Sequence, residues 1–399
     1  MNRNISLLAF FTIVYCFVYF VLSSIVYFIS LSQGYGGLAL PLFGGGDDGK
    51  RYAQEAINVA KDLPATLTSI HALVLGYVLK IFHSENLFLL KAFNYLGNVL
   101  LALVSLVILK RTVKAPKVYN VSAFVLLLLL ICYPSLLLNS SMSIIRDAWI
   151  CLYYLLAILF FSNIFMKGNH KSILLNIVFL IIVVYLLFGY REYALLSCIM
   201  GSLLYLFFLK SKKPKRSNKK IILFSLILFA IVYTSLRSYT IPIVNMSLQD
   251  ALMYRQSGIE LFTGGSQMNI SLDQSNVVLF LINYVYSIIS NAFGPFPWQI
   301  TGVSTLLIFL TESLFFSFVF IFLYKRKHIF SKMDLLLITH SIVWFMLIGI
   351  TNDNIGTAAR LRMVGWIPAL IVFAKYFGLY LISKRTEKKV NEEKESGIL

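Results

Sequence analysis

Charge is scarce in this chain. Asp, Glu, Lys and Arg make up only 13% of its 399 residues, while 59% are hydrophobic. A soluble domain cannot hide that much apolar surface, so a water-soluble globular fold is excluded. Cysteine is scarce as well. Cys16, Cys132, Cys151 and Cys198 all fall inside apolar runs, where a thiol packs as a small hydrophobe rather than serving as disulfide partner, metal ligand or nucleophile. No zinc-ligand spacing occurs. Walker A, GxSxG, HExxH and dinucleotide fingerprints are missing too, which argues against cytosolic nucleotide chemistry.

Apolar runs are what the chain has instead, several of them approaching the ~20 residues that span a bilayer. The expected fold class is all-α: a polytopic transmembrane helix bundle, with residues 1–399 as one integral membrane domain. The first run, 5–31, follows Asn2-Arg3-Asn4. It is longer than the apolar core of a signal peptide and lacks a small-x-small cleavage site, so it reads as an anchor.

Basic residues outnumber acidic ones, 35 to 17, for a formal net charge of +18. Their distribution points away from nucleic acid, and no nucleic-acid partner is expected. Lys and Arg gather in short runs between apolar segments: KRTVKAPK (110–117), KGNHK (167–171), KSKKPKRSNKK (210–220), KRKHIFSK (325–332) and SKRTEKK (383–389). The positive-inside rule places these in the cytoplasm. Spans near 5–31, 87–109, 118–138, 148–166, 172–188, 193–209, 221–237, 303–324, 335–350 and 364–383 then give about ten crossings with both termini cytoplasmic, including the tail 384–399. Two further apolar stretches, 65–82 and 277–293, do not fit as crossings and read as re-entrant or interfacial helices on the outer face. The outer face receives two large loops, 32–86 and 238–302. Most of the acids lie there, and so do Arg51, Arg146, Arg191, Arg237, Arg255, Arg360 and Arg362, against the orientation bias. Charges that topology does not require are the ones to read for function.

Within the loop 32–86, the stretch LFGGGDDGKRYAQEA (42–56) carries the densest polar chemistry. Gly44, Gly45, Gly46 and Gly49 would let the backbone approach a ligand, and helical spacing begins at Tyr52. One Asp before a helix is an ordinary N-cap. Two together, Asp47 and Asp48, suggest a catalytic base beside a neighbour that tunes it, with Lys50, Arg51 and Tyr52 contacting substrate. No cofactor is required, although the Asp pair leaves room for a divalent cation.

Arginines at outer helix ends form the second constellation: Arg146 in SMSIIRDAW, Arg191 in FGYREY, and Arg360 and Arg362 in NDNIGTAARLRMVGW. Guanidinium forks suit phosphate oxygens. The bland alternative is snorkelling, or local ion pairs such as Arg146 with Asp147 and Arg191 with Glu192. In NAFGPFPWQITG (291–302), Trp298 belongs to an aromatic belt at a helix break or offers a sugar platform. Glu312, inside a span, is a costly charge and functional by default, unless it hydrogen-bonds across helices in neutral form. His71 and His83 lack a ligand partner and read as interfacial.

An apolar first span followed by an outer loop with Asp-Asp and then Tyr52-x-x-x-Ala56 resembles the polytopic GT-C glycosyltransferases. The segments IIRDAW (144–149) and NIGTAARLRMVGWIPAL (354–370), with the general layout, are similar to bacterial polysaccharide repeat-unit polymerases, the Wzy-type O-antigen and capsule polymerases. The chain departs from these groups in lacking a large soluble periplasmic domain and an obvious pair of RxxxG loops within 238–302. The resemblance implies a GT-C-like scaffold in the bacterial inner membrane that joins undecaprenyl-diphosphate-linked glycans on the periplasmic face. Asp47 or Asp48 would then handle the acceptor proton, and Arg146, Arg191, Arg360 and Arg362 would hold the leaving diphosphate. Implied partners are the undecaprenyl-linked donor and acceptor, membrane lipids and a chain-length regulator. Two rivals stand beside it: a GT-C enzyme adding one monosaccharide from a polyprenyl monophosphate, and a transporter or flippase of lipid-linked glycans.

Overall fold

The computed structural model describes residues 3–38, 47–166, 170–210, 237–261, 266–272 and 276–395. Every long element among them is a helix. In chain order these are α1 (Arg3–Ser32), α2 (Asp47–Ala60), α3 (Ile70–Ile81), α4 (Leu87–Thr112), α5 (Pro116–Ile131), α6 (Pro134–Met142), α7 (Asp147–Met166), α8 (His170–Tyr190) and α9 (Glu192–Lys210). There follow α10 (Leu248–Leu261), α11 (Val277–Phe293), α12 (Val303–Tyr324), α13 (Lys332–Thr351), α14 (Ile355–Leu361) and α15 (Met363–Glu395).

Eight of the described helices are long and apolar enough to cross a membrane: α1, α4, α7, α8, α9, α12, α13 and α15. The pair α5 and α6 makes a broken ninth, bent by 57°. The expected single crossing over 118–138 is therefore two helices. Pro134 explains the break, because it has no N–H to donate and its ring clashes with the preceding turn. The expected crossing at 221–237 lies outside the described residues apart from Arg237. α3 has 12 residues and α11 has 17, both shorter than a crossing usually needs.

The apolar helices sort by burial. α15 is the centre of the bundle: its residues 363–376 are all buried. Trp366 stacks on Phe316 of α12 at 4.3 Å between centroids, with the planes 7° apart. α1, α8 and α12 lie outside, exposing residues such as Phe17, Ile181 and Phe320 that suit lipid. Glu312 sits in a single π turn of α12, Phe309–Ser313, and is fully engaged. It pairs with Arg362 at 2.6 Å and accepts the Ser135 N–H, a donor freed by the break before α6.

The two ends of the bundle differ in charge. At one end, Lys375 pairs with Asp334 at 2.5 Å, the Tyr376 hydroxyl donates to the Ile329 carbonyl, and Arg111 meets Asn163. They lie beside the basic stretches 110–117 and 325–332. At the other end, α2, the α6–α7 turn, the α8–α9 turn and the α13–α14 turn converge on one cavity.

Candidate active site

The cavity encloses about 530 Å³ and is lined by five arginines, Arg51, Arg146, Arg191, Arg255 and Arg360. Its only lining carboxylates among the described residues are Asp48 and Asp353. Tyr52, Tyr193, Gln267 and Asn354 complete much of the wall.

Asp48 enters from the first turn of α2. The DDGKRY stretch was expected as a loop with helix beginning near Tyr52, but the helix begins at Asp47. Acids in a first turn complement the positive helix end, which offsets the poor helical propensity of Asp and Gly. Gly49 is there for close approach: a Cβ would lie 2.2 Å from Ser143 Oγ. Gly44, Gly45, Gly46 and the Asp47 side chain lie outside the described residues. Lys50 is exposed and does not line the cavity, whereas Tyr52 is buried beneath it. Arg51 lines the rim, its Nε donating to Glu55 at 3.0 Å. Glu55 also accepts from the Thr68 N–H and hydroxyl, tying α2 to the segment before α3.

Arg146 and Asp147 come from the α6–α7 turn, whose carbonyls are held by buried side-chain donors. Lys91 Nζ donates to the Ser141 and Met142 carbonyls at 3.1 and 3.3 Å. Asn94 Nδ2 donates to Ile145 at 2.9 Å and lies 3.5 Å from the Ser143 carbonyl. His71 Nε2 takes the Ile144 carbonyl at 2.8 Å. Burial pushes the His71 imidazole down to about 4, so it stays neutral in this role. The histidine that looked interfacial is thus a buried strut. His83 stands in a left-handed turn with φ 46° and is exposed.

Neither local ion pair forms as the sequence suggested. Asp147 turns instead to Arg191 at 3.5 Å and Arg360 at 3.0 Å. Arg146 has no ion pair or hydrogen bond among the described residues, and its Nε is cut off from solvent. Its guanidinium lies 6.0 Å from the Tyr52 ring centroid. Burial lowers the Arg146 pKa, and the neighbouring Arg191 charge lowers it further. Arg191 faces the Tyr193 ring at 5.2 Å, and its Nε also lacks a partner. Two guanidiniums are thus crowded together on the cavity wall, and only Arg191 of the two reaches a carboxylate.

Arg360, from α14, bridges Asp48 at 2.9 Å through Nη1 and Asp147 at 3.0 Å through Nε. Asp147, and then Asp48, hold its pKa above the ordinary arginine value. Arg255, which the sequence did not single out as a site residue, is saturated. It donates to the carbonyls of Ile270 and Gly349 at 3.0 and 3.1 Å, and to Asp353 at 2.5 Å. Asp353 in turn accepts the Asn269 and Ile270 N–H groups. This knot is the cavity floor, pinning 266–272 to the α13–α14 turn. Its only signal in the sequence was one more arginine on the outer side.

Besides Lys50, two expected site residues stay away from the cavity. Arg362 is fully buried, committed to Glu312 and the Gly294 carbonyl. Trp298 is exposed, stacked on Phe296 at 5.0 Å, with its indole N–H donated to the Tyr286 hydroxyl. Among the described residues no three His, Cys, Asp or Glu side chains are grouped to hold a metal ion.

Fold and site together define a polytopic helical membrane protein with an arginine-lined polar cavity at one end of its bundle. No known family, curated protein or solved structure matches the chain.

Proposed function

We propose that the protein is an inner-membrane glycosyltransferase of surface-polysaccharide assembly, polymerising undecaprenyl-diphosphate-linked oligosaccharide repeats on the periplasmic face. The observation that carries this reading is the convergence of Asp48, Arg146, Arg191 and Arg360 from four separate segments on one cavity. A diphosphate is the size and charge that several guanidinium forks suit. Asp48 takes the proton from an acceptor hydroxyl as that oxygen bonds to the anomeric carbon of the donor. The carbon–oxygen bond to the lipid diphosphate breaks, and the diphosphate leaves with the bonding electrons. Arg146, Arg191 and Arg360 stabilise the charge gathering on it, a preorganised electrostatic role that needs no motion at the moment of reaction.

Transport of a lipid-linked glycan would need a polar route between the two faces. The deep acid Glu312 is instead locked to Arg362, and Asp334 at the far end is locked to Lys375, which favours chemistry at one face. A GT-C enzyme adding one sugar from a polyprenyl monophosphate is the nearest chemical alternative. Deleting the gene and resolving surface glycans by size separates the three. Collapse of the ladder to a single repeat supports the polymerase, undecorated or shortened repeats support the single-sugar transferase, and lipid-linked repeats trapped in the inner leaflet support a flippase.

A further inference from the structure

We propose that Asp48 is an internal stand-in for the substrate anion: it occupies Arg360 while the site is empty and is displaced when a diphosphate group enters. This rests on the reading of the arginine cavity as a diphosphate site. The two carboxylates on Arg360 are not equivalent. Asp147 is 4% exposed and fixed at the start of α7, where it also faces Arg191; Asp48 is 55% exposed on the outermost turn of α2. Asp48 can therefore leave at little cost, and Asp147 cannot. Arg146 and Arg191 have donors to spare, since Arg146 has no acceptor among the described residues and Arg191 only a shared one at 3.5 Å. An anion settling on those two meets the Asp48 carboxylate in the same cavity. Repulsion between the two negative groups is relieved when Asp48 yields Arg360 Nη1 to the anion.

One consequence is an order of events. Before an anion enters, the Asp48 carboxylate is engaged by Arg360 Nη1 and is not free to face an acceptor hydroxyl. Once the diphosphate has taken its place, the carboxylate is free, beside a negative group that strengthens it as a proton acceptor. Donor thus binds before acceptor, and the base is exposed only when there is something to react with.

Binding of inorganic pyrophosphate to the detergent-solubilised full chain tests this by calorimetry, in EDTA and at fixed ionic strength, without turnover. Asp48→Asn should bind about tenfold more tightly than the unaltered protein, which corresponds to removal of roughly 1.4 kcal/mol of competition, and Asp48→Ala should follow it. Arg146→Ala should abolish binding, and Arg360→Ala should weaken it. If the unaltered protein binds and both Asp48 variants bind equally or less well, the displacement is wrong while the anion cavity stands. Should the unaltered protein not bind pyrophosphate at all, both the displacement and the diphosphate reading are overturned. Each variant is compared at equal elution volume and melting temperature, so loss of fold is not mistaken for loss of a seat.

Discussion

At the scale of single residues, the arginines that look alike in sequence divide into two groups by what they already hold. Arg255 is saturated by protein acceptors and Arg362 is locked away from the cavity on Glu312 and the Gly294 carbonyl; Arg146, Arg191 and Arg360 line the cavity with donors to spare. Removing one partner of a buried pair leaves an uncompensated charge, a loss of about 3–5 kcal/mol. Arg362→Leu alone should therefore lower the melting temperature sharply in detergent, and Arg362→Leu with Glu312→Leu should recover much of it. A double variant no more stable than the single one would show that the ion pair is not what Arg362 supplies. Arg360 differs in kind, because it spans Asp48 and Asp147 with separate nitrogens. A compact ammonium cannot span both. Arg360→Lys should be nearly as inactive as Arg360→Ala in polymer length at matched protein level, and full activity from Lys would mean that charge alone suffices. His71 gives a pH prediction. Its folded pKa, about 4, lies below the ordinary 6.5. As pH falls below 6.5 the unfolded chain takes up a proton that the folded chain refuses, so stability is lost down to about pH 4, by about 3 kcal/mol in full. Thermal unfolding at pH 7.5 and pH 5 should show the drop, and His71→Gln should flatten it.

Among elements, the α6–α7 turn decides the geometry of the site. Its carbonyls face inward and would be orphans at a helix break, yet Lys91, Asn94 and His71 meet them. Asn94→Ala should cost about 1–3 kcal/mol for acceptors left bare in the interior and should weaken pyrophosphate binding through Arg146. Unchanged binding at reduced stability would show that the turn holds its shape without Asn94. Much of the helical layout was legible from apolar run length, because a crossing must satisfy its backbone internally and so announces itself. The broken α5–α6 pair was less legible. Pro134 was visible, but only the Ser135 N–H finding Glu312 makes a break there stable. α2 was misread at its start because Gly49 usually signals a loop, whereas here it marks contact with Ser143. Outer-face arginines could be recognised as unusual, but which were free could not. That depends on partners such as Asp353 and Gly294, which lie 98 and 68 residues away in sequence.

For the molecule as a whole, the segregation of charge is the organising fact. Among the described residues, the basic stretches 110–117 and 325–332 lie at one end of the bundle and the arginine cavity at the other. Orientation in the membrane is testable with single cysteines in a cysteine-free background at two exposed positions, Lys50 and Lys327. An impermeant thiol reagent should label Lys50→Cys and not Lys327→Cys in cells with a permeabilised outer membrane; the reverse pattern would turn the bundle over and remove the periplasmic active site. The central claim is that this cavity joins glycans and that Asp48 takes the acceptor proton. Its most direct test is Asp48→Asn expressed in the deletion strain, with surface polysaccharide resolved by size. Asn keeps the shape of the side chain and removes its basicity, a change worth roughly 10²–10⁴-fold in rate for a general base. The account predicts that the ladder stays collapsed at a single repeat while the variant remains folded and binds pyrophosphate. A full-length ladder from Asp48→Asn would contradict it.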